Sequence, residues 1–162
     1  MTAAPHSQLI IATGVGLAID PDGPLCGIAL IGAAGSGKTT TALSLIEGCP
    51  FQRTRLIGDD GLTVEIRESG VWLSPPPRWA GVAEARPAGL TRVPLIDGAV
   101  RLIAAFGAAP GDMPRLPDED AKWRPIEGRD AYAPLRPLPA IAAIRPLVRT
   151  LLSGQSPASR VE

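Results

Sequence analysis

The spacing of apolar residues predicts a strand followed by a helix in the first third of the chain. Cys26–Ile31 is a short, continuous apolar run and predicts a buried strand. Residues 40–47 then place three apolar side chains on one face at helical spacing, which predicts an amphipathic helix. Gly48 and Pro50 suit the end of that helix, because glycine accommodates a helix terminus and proline cannot continue it. The three apolar residues are Ala42, Leu45 and Ile46.

Further segments show strand or helix patterns. Residues 62–73 alternate on both sides of a turn that ends at Gly70, which predicts a β-hairpin. Residues 140–152 predict a terminal helix, in which Pro146 starts a second helical segment. The proline-rich residues 107–139 predict loops. Three other segments predict strands, namely residues 10–19, 53–60 and 100–106.

Composition indicates a single globular α/β domain once the strand and helix patterns are combined. The 162 residues are 45% hydrophobic and 20% charged, and 16 basic residues balance 16 acidic ones, so the formal net charge is zero. A chain of this size can bury a real core, and we expect one domain over residues 1–162 with flexible ends at 1–7 and 154–162. Because there is no basic excess, nothing favours nucleic acid or an acidic membrane surface as a partner.

The sequence also favours a cytoplasmic location. No apolar run is long enough to span a bilayer, and the N-terminus lacks the basic and apolar segments of a secretion signal. Cys26 and Cys49 are the only cysteines, and both lie in segments predicted to be core or helix end. We therefore expect two reduced, buried thiols.

A phosphate-binding motif lies between the predicted strand and helix. Glycines let consecutive backbone N–H groups point at the charged phosphates of a nucleotide. Lys38 would reach the β- and γ-phosphates of ATP, and the Thr39 hydroxyl would take one position around Mg²⁺. The alternative is a Gly-rich turn with a solvated lysine, but only Lys38 and Lys122 are lysines among the basic residues. The motif G-x-x-x-x-G-K-[ST] comprises Gly32, Ala33, Ala34, Gly35, Ser36, Gly37, Lys38 and Thr39, and Thr40 follows it in the predicted nucleotide site.

Asp59 and Asp60 are the candidate catalytic carboxylates. Phosphoryl transfer needs an acidic group near the γ-phosphate, to hold Mg²⁺ or to accept a proton from the attacking hydroxyl. The pair ends the predicted strand 53–60, which we expect to neighbour the strand before the phosphate-binding motif. An ordinary acidic turn is the alternative. Judged by residue chemistry alone, Glu84 and Arg86 favour a surface ion pair.

Taken in order, these motifs resemble the C-terminal catalytic domain of HPr kinase/phosphorylase. That family shows a P-loop, a strand ending in a double Asp, and a stretch of the form E-x-R-G-x-G, which correspond here to residues 32–39, 59–60 and 84–89. Residues 115–117 and the short length are similar to the alphaproteobacterial branch, which lacks the N-terminal domain. The resemblance covers most of residues 9–152. It implies a mixed β-sheet with flanking helices, akin to the nucleotide-binding core of phosphoenolpyruvate carboxykinase.

The resemblance also implies an activity and a partner. It implies a kinase that uses ATP and Mg²⁺ to phosphorylate a serine of an HPr-type phosphocarrier protein of the phosphotransferase system. One of Asp59 and Asp60 would be the base toward the serine hydroxyl, and the other would assist with metal or position. Thr39 would be a further metal ligand, and Glu84 and Arg86 would belong to the active-site loop. Relatives form oligomers, so the resemblance also implies a homo-oligomer.

Three positions depart from the family pattern. Thr40 stands where the family has an acidic residue, Pro87 stands where it has a glycine, and its histidine before the P-loop falls near Ile11. Because the C-terminal segment that supports phosphorylase activity is also not evident, we expect a kinase without that reverse activity. Two alternatives stay open: a nucleotide-binding regulatory module that has lost catalysis, and another small P-loop kinase or NTPase.

Overall fold

A mixed β-sheet dominates the computed structural model, which describes residues 7–33, 35–77, 82–85, 89–107 and 121–153. These residues form two helices and eleven strands. In chain order the elements are β1 (Ser7–Ile10), β2 (Thr13–Leu17), β3 (Cys26–Ile31), α1 (Lys38–Glu47), β4 (Arg55–Gly58), β5 (Leu62–Arg67), β6 (Gly70–Ser74), β7 (Val82–Ala85), β8 (Gly89–Arg92), β9 (Val100–Gly107), β10 (Lys122–Trp123), β11 (Ala133–Pro137) and α2 (Ile141–Leu152).

The strand order brings three chain segments to one edge of the sheet. The strands of the main sheet follow the order β1-β5-β6-β9-β3-β2-β4. In addition, β11 pairs with β9, and β10 pairs with β11. The strands β7 and β8 form a separate hairpin. β3 runs parallel to β9, whereas β2 runs antiparallel to both β3 and β4. The start of β2 therefore lies beside the ends of its two neighbours, with Thr13 opposite Leu30 and Gly14 opposite Gly58.

Alternate residues of the central strands pack into two different hydrophobic layers. Ile28 and Leu30 are fully buried in a cluster that includes Leu45 of α1 and Ile144 of α2. Ala29, which lies between them in sequence, belongs to a second cluster with residues of β5 and β6. The helices thus cover one face of the curled sheet, and β5 and β6 contribute to the layer on the other face. Because both faces are covered, β3 is apolar along its length instead of alternating.

Several elements predicted from the sequence are present. β5 and β6 pair as an antiparallel hairpin, with Arg67 opposite Gly70 at the turn. β9 begins at Val100 as expected. The helix after the phosphate-binding motif ends at Glu47, and Gly48 is its C-cap. The helix begins at Lys38, two residues earlier than predicted, so the lysine of the motif is already part of its first turn.

The strand predicted for residues 10–19 is present at Thr13–Leu17, which is β2, but Ile10 belongs to the separate strand β1. β1 and β2 are separate strands, because the chain leaves β5 after Ile10 and pairs with β3 and β4 from Thr13 onward. The run of apolar residues across the break does not reflect continuous burial, because Ile10 packs against the core whereas Leu9 is 59% exposed and Ile11 is 86% exposed.

Two predictions for the second half of the chain were also wrong. Pro146 does not start a second helical segment, because α2 is continuous through it. Pro146 is exposed, while Ile144 and Val148 on either side are buried, so packing compensates for the one N–H that proline lacks. Residues 107–139 are not all loop, since they contain β10 and β11. β11 contains two prolines. Because proline cannot donate to the hydrogen bonds of a sheet, its presence argued against a strand in the sequence.

The structure also bears on the chain ends, the two cysteine thiols and the expectation about membrane spans. Ser7 begins β1, whereas residues 1–6 and 154–162 lie outside the described residues. Cys26 and Cys49 are buried free thiols, which confirms the expectation. In the part of the chain that the structure describes, no helix is long and apolar enough to cross a bilayer.

Candidate active site

The loop between β3 and α1 has a backbone that glycine permits. Gly35 (φ 81°) and Gly37 (φ 92°) both lie in the left-handed region. A Cβ atom at either position would meet no described atom within 4 Å, so the backbone conformation requires glycine and the space beside the loop is open. Gly37 is also the N-cap of α1, where no described side chain caps the helix. The N–H groups of the first turn are therefore available to an anion.

A buried hydroxyl in the same loop lacks a partner among the described residues. Ser36 Oγ is buried and makes no hydrogen bond within the described residues. It faces Gly32, where an added Cβ atom would lie 2.9 Å from the oxygen. A buried hydroxyl is costly unless it is hydrogen-bonded, and a phosphate oxygen would satisfy it. The open space, the uncapped N–H groups and this hydroxyl together fit the phosphates of a nucleotide.

Lys38 folds back over the loop instead of pointing into solvent. Its side chain is only 9% exposed. The ammonium nitrogen Nζ donates to the carbonyl oxygens of Gly32 at 2.6 Å and Ala33 at 3.2 Å. It also lies 3.9 Å from Asp60 Oδ1. The positive charge is therefore held over the loop, between its carbonyl oxygens and Asp60.

The Asp59 carboxylate receives two hydroxyl groups from different elements. Thr39 Oγ1, in the first turn of α1, donates to Asp59 Oδ1 at 2.8 Å. Thr13 Oγ1, at the start of β2, donates to the same oxygen at 3.1 Å and accepts the Asp60 N–H at 3.4 Å. Sequence reasoning missed Thr13. The only sequence signal is a polar residue at the start of a strand that is otherwise apolar, and the strand is fully buried.

Asp60 differs from Asp59 in both exposure and backbone. Its side chain is 65% exposed, whereas Asp59 is half-buried. Its φ of 54° lies in the left-handed region, which is uncommon for a residue other than glycine and clusters at functional sites. The two carboxylates therefore face different surroundings, with Asp59 toward Thr39 and Asp60 toward solvent and Lys38.

The strand that ends at the carboxylates has a different position in the sheet from the one expected. β4 is not the neighbour of β3, because β2 lies between them and runs antiparallel to both. β3 and β4 are therefore parallel to each other, and their ends emerge at the same edge. This arrangement explains why a residue at the start of β2, Thr13, touches the acidic pair.

The donor set suits magnesium held together with a nucleotide. Mg²⁺ usually keeps several waters and is bound by one or two carboxylates plus substrate phosphates. Thr39 and Asp59 offer a hydroxyl and a carboxylate side by side at the loop. Among the described residues there is no group of three or more His, Cys, Asp or Glu side chains that could hold a metal alone. The residues present thus fit a cation that arrives with the phosphates.

Three of the other sequence candidates belong to described segments, and the other three lie outside the described residues. Thr40 is exposed in the first turn of α1. Ile11 is 86% exposed, between β1 and β2. Glu84 belongs to β7, opposite Leu90 of β8. Ala34, Arg86 and Pro87 lie outside the described residues.

Comparison with known proteins places the chain by its fold. No protein-family model matches the sequence, and no curated protein sequence matches it. Solved structures do match it, and among them is the Hpr(Ser) kinase/phosphatase from Coxiella burnetii, with a TM-score of 0.62 and 20% sequence identity. The match covers 91% of this chain and 89% of that one. The chain therefore has a mixed α/β fold of the HPr kinase/phosphatase type, which confirms the resemblance at the level of the fold.

Proposed function

We propose that this protein is a protein-serine kinase that transfers the γ-phosphoryl group of ATP to a serine of an HPr-type phosphocarrier protein. The observation that carries the proposal is the convergence of the Thr39 hydroxyl, the Asp59 carboxylate and the buried Lys38 ammonium at one loop. The HPr kinase/phosphatase-like fold supports a kinase-type enzyme. The order of the motifs along the sequence, which resembles that of HPr kinase/phosphorylase, supports an HPr-type protein as the acceptor.

Nucleotide binding would fall to residues 32–39. The Lys38 ammonium, now bonded to two loop carbonyls, would exchange them for oxygens of the β- and γ-phosphates. Charged phosphate oxygens are stronger acceptors than neutral carbonyls, so this exchange favours the bound state. The Ser36 hydroxyl and the N–H groups at the start of α1 would take further phosphate oxygens.

Thr39 and Asp59 would hold the metal ion. A hydroxyl can donate its proton to a carboxylate and still offer an oxygen lone pair to a cation. The hydrogen bond from Thr39 to Asp59 therefore leaves Thr39 oriented for such a role. Bound Mg²⁺ would supply positive charge that neutralises the charge developing on the transferred phosphoryl group. In this arrangement Asp59 serves metal binding and position.

Asp60 is then the carboxylate that accepts the proton. It is exposed, so the serine of another protein can approach it, and it lies 3.9 Å from the Lys38 ammonium that would mark the γ-phosphate. The serine oxygen would form a bond to the γ-phosphorus while the bond from that phosphorus to the β–γ bridging oxygen breaks and ADP leaves. The serine proton would pass to Asp60 and from there to water.

The test is transfer of labelled γ-phosphate from Mg-ATP to the HPr-type phosphocarrier of the same organism. A carrier with alanine in place of the acceptor serine is the matched control for the protein substrate. Label on the wild-type carrier and none on its alanine variant is the expected result.

Other outcomes would point to the alternatives. Binding of Mg-ATP without any transfer would indicate a regulatory nucleotide-binding module. Transfer to a small molecule or to water, independent of the carrier, would indicate another type of P-loop kinase or NTPase. Absence of nucleotide binding would overturn the proposal altogether.

A further inference from the structure

We propose that Thr13 is the positioning residue of the acidic corner, by which we mean Asp59 and Asp60 together. Its hydroxyl holds the carboxylate of one and the backbone of the other in the geometry that magnesium binding needs. This inference rests on the proposed nucleotide and metal site. It assigns a role to a residue outside every motif of the sequence.

The two bonds of Thr13 have a defined direction. A hydroxyl has a single proton, and a backbone N–H can only donate, so Thr13 Oγ1 accepts from Asp60 N at 3.4 Å. Its own proton is then directed to Asp59 Oδ1 at 3.1 Å. One side chain thus links two consecutive residues of the turn after β4, through a side-chain oxygen of the first and the backbone of the second.

The burial of Thr13 supports the interpretation that its hydroxyl serves to position the acidic corner. Thr13 is 0% exposed, and every other residue of β2 is buried too. A buried hydroxyl is costly unless it is hydrogen-bonded, whereas valine has nearly the same shape and no such cost. The Thr13 hydroxyl donates to the Asp59 carboxylate and accepts the Asp60 N–H. A purely structural role at this position would be served by valine.

The strand pairing aims Thr13 at the corner. β2 and β4 shift register between Gly14 and Val15, so that Gly14 faces Gly58 but Val15 faces Leu56. The extra residue on β4 is Ile57. Such irregularities re-aim side chains and occur next to active sites. Here the shift brings the end of β4 level with the start of β2, within reach of the hydroxyl.

The consequence concerns the metal site. Thr39 and Thr13 donate to the same oxygen of Asp59, from the helix side and from the sheet side. The hydrogen bond to Asp59 fixes the direction of the Thr39 proton and so leaves a lone pair of the Thr39 oxygen oriented for a cation. Thr13 opposes rotation of the Asp59 carboxylate away from Thr39, and its bond to the Asp60 N–H maintains the left-handed turn at that residue.

The test compares Thr13→Val, Thr13→Ser and wild type in binding of a fluorescent ADP, with and without Mg²⁺. We expect Thr13→Val to raise the Mg²⁺ concentration needed for half-maximal tightening by about 10- to 100-fold, as loss of a partner to a metal ligand does. Thr13→Ser keeps the hydroxyl and should stay near wild type. Hydrogen exchange of the Asp60 amide, measured without nucleotide, should accelerate in Thr13→Val alone.

Thr54→Val is the matched control, because Thr54 is also buried and its hydroxyl accepts a backbone N–H, from Ala18. It should leave the Mg²⁺ dependence unchanged. An unchanged Mg²⁺ dependence in Thr13→Val would overturn the inference, and so would an equal loss in Thr13→Ser. If wild type itself bound no Mg-ADP, the proposed function would fail first. Circular dichroism of each variant excludes unfolding as the cause, and the serine variant keeps the test valid if the valine variant does not fold.

Discussion

Thr39 and Asp59 are joined by a 2.8 Å hydrogen bond between hydroxyl and carboxylate, although twenty positions separate them in sequence. This bond connects the helix that follows the Gly-rich loop to the turn that follows β4. It makes the loop and the acidic corner a single unit, so a substitution in one should change ligand binding at the other.

Lys38→Met should weaken Mg-ATP binding by about 10- to 100-fold, since hydrogen bonds that involve a charged group are worth about 1.5–3 kcal/mol. Methionine keeps most of the buried stem and removes only the ammonium that now contacts the loop carbonyls. Isothermal titration calorimetry measures the affinity. Lys122→Met, at the chain's only other lysine, is the control and should bind as wild type does. Equal affinity in the two variants would refute the role given to Lys38.

Asp59→Asn and Asp60→Asn should separate metal binding from transfer. Asp59→Asn should raise the Mg²⁺ requirement for nucleotide binding by about tenfold or more, because a ligating carboxylate becomes neutral. Asp60→Asn should leave Mg-nucleotide affinity within about twofold yet lower kcat by about 10²- to 10⁴-fold, the usual contribution of a general base. Binding titrations and single-turnover transfer measure the two effects. The opposite pattern would exchange the roles of the two residues.

Gly58→Ala should destabilise the fold and loosen the acidic corner. A Cβ atom at Gly58 would lie 2.0 Å from the Gly61 carbonyl oxygen, which is backbone and cannot move aside without opening the turn. We expect a loss of more than about 2 kcal/mol in the free energy of unfolding. Urea denaturation measures it. Gly61→Ala is the control within the same turn, because its nearest new neighbour would be Pro76 Cγ at 3.7 Å, an ordinary contact. Equal midpoints for the two variants would contradict this reading of the turn.

Cys49 should make stability depend on pH. Burial, the largest influence, raises the pKa of the Cys49 thiol, but hydrogen bonds from Thr54, Arg53 and Arg145 together outweigh it and lower the pKa from 9.0 to about 6. The folded protein then binds fewer protons than the unfolded chain between these values. The contribution of the Cys49 thiolate to the free energy of unfolding is therefore fully present above about pH 9, and it is lost as the pH falls through about 6.

Thermal unfolding of wild type and Cys49→Ser between about pH 6 and pH 8 tests this linkage. The stability advantage of wild type should grow as the pH rises. Cys26→Ser is the control, because burial and then the Asp20 carboxylate raise the pKa of Cys26, which stays neutral over this range. A pH-independent difference between wild type and Cys49→Ser would show that the thiol does not ionise in the folded protein.

The Gly-rich loop between β3 and α1 could be predicted because its signal is local. Gly32 to Thr39 are consecutive, and the preceding apolar run and following helical pattern are each set by neighbouring residues. The β5–β6 hairpin was predictable for the same reason, since its two strands are joined by a short turn. The identity of Asp59 and Asp60 as candidates also came from sequence, through their place at the end of a short strand.

Tertiary structure decided how these parts meet. Thr13 lies 46 positions from Asp59 and reaches it only because β2 runs antiparallel between β3 and β4. Strand order and register follow from long-range packing of both sheet faces, which no local pattern encodes. The same packing keeps Asp59 half-buried against Thr39 and leaves Asp60 exposed, so adjacent and chemically identical side chains acquire different surroundings. Neighbouring residues thus predicted the Gly-rich loop and its flanking strand and helix, whereas the pairing of distant strands places Asp59 toward the helix and Asp60 toward solvent.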